Sequence, residues 1–244
     1  MSESRLLRER IIIPLEILEG QTLDEDLAKL LEPIEVILLG YHVVPEQTPP
    51  SQMRNQFEDQ AMKALDSIVQ EIDDAGGNAE SRLVFTHDAE ASIERVAGET
   101  NATAQVHLNP LAPVESILAV VDPGTDPKRL ARFLIALLEN RQISLTLLLT
   151  GADEDDGTLE KRGEELLTLF HSLGLPTDAI ANVLVAGVPV TESIVSATTS
   201  HDVTVMGSHE ADWRSLFFGD IEERIAAESV GPVIEVFPAS SMEY

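Results

Sequence analysis

The segment from Val205 to Asp220, Val-Met-Gly-Ser-His-Glu-Ala-Asp-Trp-Arg-Ser-Leu-Phe-Phe-Gly-Asp, gathers the residues of this chain best suited to chemistry. An apolar run closes on Gly207, a polar loop follows, and Gly219 stands before an amphipathic stretch. Glycines at those points let backbone N–H groups approach an anion, and a helix N-terminus favours negative charge, so the frame is that of a phosphate-binding loop. Ser208, His209 and Asp212 are the residue types of a nucleophile triad, but they crowd one short loop without a nucleophile-elbow pattern. Trp213, the single tryptophan, precedes Leu216, Phe217 and Phe218 and reads as a packing residue. No catalytic residue is assigned.

Metal chemistry has little support. The histidines (His42, His87, His107, His171, His201, His209) show no ligand spacing, and no cysteine is present to supply a thiolate or a disulfide. Asp153-Glu154-Asp155-Asp156-Gly157 has the charge of a calcium loop without the rest of its twelve-residue pattern, so it reads as a solvated acidic loop. The chain has 43 acidic and 16 basic residues and a net charge of −27. A polyanion is repelled by such a surface, which argues against nucleic acid and anionic membranes as partners. Self-repulsion is screened only in salt, the Debye length falling from about 30 Å at 0.01 M to about 3 Å at 1 M, so a salt-rich halophilic cytoplasm is expected. No apolar run approaches the ~20 residues of a membrane span, and Arg5, Arg8 and Arg10 precede only the short run Ile11–Ile13, which does not read as a signal peptide. A cytoplasmic location follows as an expectation.

The elements that would carry this loop alternate between apolar runs and amphipathic stretches, the βαβ rhythm of a largely parallel sheet. In the first half the predicted strands are Ile11–Ile13, Val36–Leu39, Leu83–Phe85 and Ala104–Leu108. Leu23, Leu27, Leu30 and Leu31 mark one helix, and Ala61, Leu65, Ile68 and Ile72 mark another that Gly76-Gly77 should stop. The second half repeats the order with Ile117–Val121, Leu145–Leu149, Val183–Val185 and Val203–Met206, and adds Val233–Phe237. Its helices are marked by Leu130, Phe133, Leu134, Leu137 and Leu138, and by Leu159, Leu166, Leu167, Phe170 and Leu173.

The halves align directly. Ala91-Ser92-Ile93 falls on Glu192-Ser193-Ile194, Asn101 on Asp202, Thr103 on Thr204 and Glu16 on Asp122, which indicates a duplication. Asn109-Pro110-Leu111-Ala112-Pro113 leads almost directly into Ile117, so the first copy lacks its last helix and strand. The expected domains are residues 1–112, truncated, and residues 113–244, complete.

The second copy resembles the universal stress protein family. The resemblance rests on a first strand closing on Asp122, Gly187-x-Pro189 before the third helix, a strand ending Met-Gly-Ser-His, an apolar triplet before Gly219, and Gly-Pro-Val-Ile-Glu-Val at the last strand. It implies an α/β fold: two tandem Rossmann-like domains of the adenine-nucleotide alpha hydrolase type, with largely parallel sheets. In ATP-binding members the loop reads Gly-x2-Gly-x9-Gly-Ser/Thr. This chain keeps Gly207 and Gly219, has Glu210 for the second glycine, is one residue shorter, and places Asp220 where the hydroxyl residue belongs. A carboxylate about 4 Å from a phosphate charge costs on the order of 1 kcal/mol in water and ~4 at an effective dielectric of about 20.

The resemblance therefore points to a non-enzymatic stress-response protein with a degraded nucleotide site and no required cofactor. Its inherited pocket would be formed by Asp122, Gly207, His209, Gly219 and Asp220. Asp122-Pro123-Gly124 is also a good strand-ending turn, and Asp126 a good cap for a helix starting at Pro127. Glu16 holds the matching position in the first copy, where Gln105-Val106-His107 has no glycine loop after it and no nucleotide is expected. The alternatives are an ATP- or AMP-binding sensor or weak ATPase using the second domain, and a soluble regulatory partner of a membrane transporter. The family's habit of pairing last strands implies a homodimer through Val233–Phe237, with a protein partner as a further expectation.

Overall fold

A computed structural model describes residues 9–111, 113–151, 156–175, 179–185, 190–207 and 225–238. The strands are β1 (Arg10–Glu16), β2 (Glu35–Val43), β3 (Asn78–Thr86), β4 (Ala104–His107), β5 (Ser116–Val121), β6 (Ser144–Leu149), β7 (Ile180–Val185), β8 (Val203–Gly207) and β9 (Val233–Val236). The helices are α1 (Glu25–Leu30), α2 (Pro50–Asp74), α3 (Ala89–Thr100), α4 (Pro127–Leu138), α5 (Asp156–Leu173) and α6 (Val190–Thr198). Each predicted strand is found, and most run further than their apolar cores. Pro14 lies inside β1 because β4 pairs with β1 only at Ile11 and Ile12, so its missing N–H falls beyond that ladder.

Local chemistry sets the helix ends. The Asp88 carboxylate accepts from the Ala91 amide at 3.0 Å to start α3, and Asp126 accepts from Lys128 and Arg129 at 3.0 and 3.2 Å to start α4. Gly76, at φ +93°, follows the end of α2, and the Gly77 amide donates back to the Ile72 carbonyl.

All nine strands form one sheet in the order β3-β2-β1-β4-β9-β8-β5-β6-β7. Counted from its own first strand, each half has the same order, and within each half the neighbours are parallel. The two halves meet where β4 pairs antiparallel with β9, from Ala104 opposite Val236 to His107 opposite Val233. The strands of the second half therefore run opposite to those of the first, and the carboxyl ends of the two sets emerge at opposite ends of the sheet. β9 is also paired parallel with β8, so both of its edges are used within the chain. The expected homodimer through this strand is corrected accordingly, because no edge of β9 is left for a second chain.

The alternation of side chains along each strand divides the core. Ile11, Ile13, Leu38, Ile117, Ala119, Leu147, Val205 and Ile234 share one continuous cluster that runs under helices of both halves and includes the fully buried Phe133 and Phe170. The opposite face carries two separate clusters, one around Ile12, Ile93 and Phe237, the other around Leu118, Ile194 and Val233. At the seam Gln105 lies opposite Glu235. His107 Nε2 approaches the buried Glu235 carboxylate at 3.5 Å. A buried ion pair, Arg129 to Glu9 at 3.2 Å, ties the start of α4 to the residue before β1.

Strand register corrects part of the internal alignment. The Arg10 amide donates to Thr103 Oγ1 at 3.0 Å, and the Ser116 amide donates to the Asp202 carboxylate at 2.9 Å. The Thr103 and Asp202 amides return bonds to the Arg10 and Ser116 carbonyls, at 2.7 and 3.1 Å. Ala104 pairs with Ile11 as Val203 pairs with Ile117. Thr103 is thus the counterpart of Asp202, two residues away from the match expected from sequence. The difference lies in the helix: α3 ends at Thr100, three residues before Thr103, whereas α6 ends at Thr198, four before Asp202, so the stretch from the matched Ser92 and Ser193 to the strand is shorter in the second half because α6 stops sooner. A slip of two preserves which face each side chain occupies, so the apolar pattern cannot reveal it. The match of Glu16 with Asp122 holds, each lying five residues beyond the paired Ile11 and Ile117.

Candidate functional site

In open α/β sheets ligands bind beyond the carboxyl ends of the strands, where the order reverses. In the second half that position lies between β5 and β8, and the turn Asp122-Pro123-Gly124-Thr125 occupies it. The Asp122 carboxylate accepts from the Gly124 amide at 2.6 Å, and the Asp122 amide donates to Thr125 Oγ1 at 3.2 Å. The Thr125 amide closes the turn on the Asp122 carbonyl at 3.2 Å. Asp122 is thereby held at the strand end as the turn residue that its sequence context predicts.

Gly207 ends β8 beside this turn. A Cβ placed on it would lie 2.5 Å from Thr125 Cγ2 and 3.0 Å from Thr125 Oγ1. The buried threonine side chain sits over the glycine, so close packing alone accounts for glycine at this position. Asp122 and Gly207 are brought to the same end of the sheet; His209, Gly219 and Asp220 lie outside the described residues, as do Ser208, Glu210, Asp212 and Trp213.

Two contributors are not apparent from sequence reasoning. Thr125 is one. The other is Arg162 of α5, whose guanidinium donates to the Thr150 carbonyl and lies 3.4 Å from the Val121 carbonyl, bridging the ends of β6 and β5. Gly163 explains the reach: a Cβ there would stand 3.0 Å from Leu149 Cδ1, so the helix passes close to β6 and delivers its arginine to the strand ends. A glycine inside a helical pattern is the sequence signal for such an approach. The arrangement places a carboxylate and a guanidinium at one end of the sheet, suited to orienting a polar ligand. Among the described residues no group of three or more His, Asp or Glu side chains could hold a metal ion.

The matching end of the first half differs. Glu16 donates its amide to Gln21 Oε1 at 2.7 Å, and Leu108 stands at the position equivalent to Gly207. Tyr41 is paired with Glu16, and burial, with a further contribution from the Glu16 charge, pushes its phenol above the usual tyrosine range.

Among solved structures the chain is similar to a universal stress protein from Archaeoglobus fulgidus, with 13% sequence identity, coverage of 93% of this chain and 96% of that one, and a TM-score of 0.65. It is similar to a protein of unknown function from Pseudomonas aeruginosa, with 14% identity, coverage of 97% and 95%, and a TM-score of 0.56. A putative universal stress protein from Pseudomonas aeruginosa follows, with 13% identity, coverage of 96% and 95%, and a TM-score of 0.54. No protein-family model matches the sequence, and no curated protein does. The fold of this chain is that of the universal stress proteins, an α/β architecture with a mostly parallel sheet. Among the described residues no helix is long and apolar enough to cross a membrane.

Proposed function

We propose that this chain is a non-enzymatic stress-response protein of the salt-rich cytoplasm that acts by binding a protein partner or small ligand, its nucleotide pocket being inherited and degraded. The observation that carries this reading is the packing of Thr125 on Gly207, which gives the remaining strand-end glycine a structural use independent of phosphate. Glu210 and Asp220 add two carboxylates where the family's ATP-binding loops have glycine and a hydroxyl residue. The two units, residues 1–112 and 113–244, share β9 in place of the strand missing from the first.

Calorimetry of the purified chain with Mg-ATP and Mg-AMP in molar KCl tests this reading. The expected result is no heat of binding up to millimolar ligand; micromolar affinity for either nucleotide would overturn it. A second reading, an ATP or AMP sensor using Asp122, Gly207, His209 and Gly219, is favoured by one observation. Arg162 supplies a guanidinium at the ends of β5 and β6, opposite in sign to the carboxylates of the loop.

A further inference from the structure

Among the described residues the sheet has two outer strands, and they are built differently. β3 carries Glu80 and Arg82, which pair with each other at 3.6 Å, and Glu80 also meets Arg10 at 3.2 Å. Charges on an edge strand oppose pairing with another chain. β7, at the other end, reads Ile-Ala-Asn-Val-Leu-Val and has no ionisable residue. Residues 181–185 are all exposed, including the large apolar Val183 (38%), Leu184 (43%) and Val185 (43%). Its only irregularity is a register shift opposite Leu145 and Thr146, which leaves Asn182–Val185 in regular pairing with β6 and the outer ladder edge continuous.

We propose that β7 is the self-association edge of this protein, pairing antiparallel with β7 of a second copy to continue the sheet across a two-fold axis. Charge selects this occupant. Molar salt screens the −27 net charge beyond about 3 Å but not carboxylates pressed together at a contact, and an uncharged strand meeting itself brings none of its own to that contact. Pairing β7 with β3 would bury Glu80 and Arg82 against apolar side chains, and its head-to-tail geometry would not close. The molecule also contains a working example: the antiparallel seam of β4 and β9 joins its halves through four residue pairs, and β7 offers a strand of six. The contact is isologous and stops at two chains.

The test uses the full chain in 3 M KCl, with mass measured by light scattering. The expected mass is twice 26.6 kDa. Leu184→Lys should weaken association at least a hundredfold while leaving the circular dichroism spectrum unchanged. Asn182→Lys, at another exposed position of the same edge, serves if Leu184→Lys does not fold. The chain has no cysteine, so single cysteines at Asn182, Val183 and Leu184 give clean reports, and at least one should form an intermolecular disulfide on mild oxidation. A wild-type monomer at 100 µM, a dimer indifferent to both lysine variants, or cross-linking through Ser81→Cys on β3 instead would overturn the proposal.

Discussion

The first half of this molecule and the second use one strand order and solve the same local problems with different chemistry. The amide that opens the first strand is held by a neutral hydroxyl, Thr103, in one half and by a carboxylate, Asp202, in the other. After the fourth strand the first half continues with Leu108 into a short linker, while the second passes Gly207 and later returns through Gly231 to β9. The first half has no such return, and β4 completes its ladder on β9 instead. The same strand order is thus completed in a half with one strand fewer, because another segment supplies hydrogen bonds to the edge of β4.

The largest expected break in this comparison is at Gly231, found only in the half that returns to β9. A Cβ there would lie 1.9 Å from the Asp202 carbonyl oxygen, a backbone atom that cannot move alone. Gly231→Ala should cost about 3 kcal/mol, read as a lower denaturation midpoint in molar KCl, and should loosen the seam to β4 as well. An unchanged midpoint would show that the turn relaxes freely.

Next come the two anchors. Asp202 accepts from the Glu115 amide, the Ser116 amide and the Ser116 hydroxyl, each at 2.9 Å. Asp202→Ala should cost about 2–3 kcal/mol and Thr103→Val about 1, because bonds to a charged group are stronger and the partners are left unsatisfied. Burial alone would raise the Asp202 carboxyl, but these hydrogen bonds and the neighbouring His201 outweigh it and hold the group below its ordinary value of 3.8. A lowered folded pKa contributes stability that is complete above that ordinary value and lost as pH falls through the folded one. Acid titration of stability should therefore flatten in this window for Asp202→Asn and stay unchanged for Thr103→Val.

A smaller effect than those at Gly231 and Asp202 sharpens the reading of the strand end. Gly207→Ala should cost about 1–2 kcal/mol through collision with Thr125, and Thr125→Ala should recover most of it in a double-mutant cycle. Additive effects of the two changes would mean that the glycine answers to something other than this packing.

Much of this architecture was legible in the sequence because apolar period and cap residues act locally. Ala61, Leu65, Ile68 and Ile72 are the buried face of α2, and Asp126 caps α4 as its position before Pro127 predicts. The destination of β9 was not legible, since a four-residue strand fits any sheet edge, and only the direct passage from Asn109 to β5 hinted at a vacancy. The two-residue slip between Thr103 and Asp202 stayed hidden for the reason of parity. Asp122 was readable because a strand-ending Asp-Pro-Gly carries its own turn chemistry. Arg162 was not, because its role depends on how near α5 passes to β6. The loop residues His209, Glu210, Gly219 and Asp220 lie outside the described residues, so their part in a site rests on sequence alone.

The sharing of β9 also sets a timetable. His107 must wait for Val233, 126 positions later (233 − 107), before β4 acquires its outer neighbour. At synthesis rates of 5–20 residues per second that interval is about 6–25 s. During it the nascent first half carries an open edge ending in Gln105-Val106-His107. For the newborn chain this is the period of greatest exposure to mispairing, and a four-residue strand with two polar side chains keeps that edge short and poorly suited to pairing with anything else.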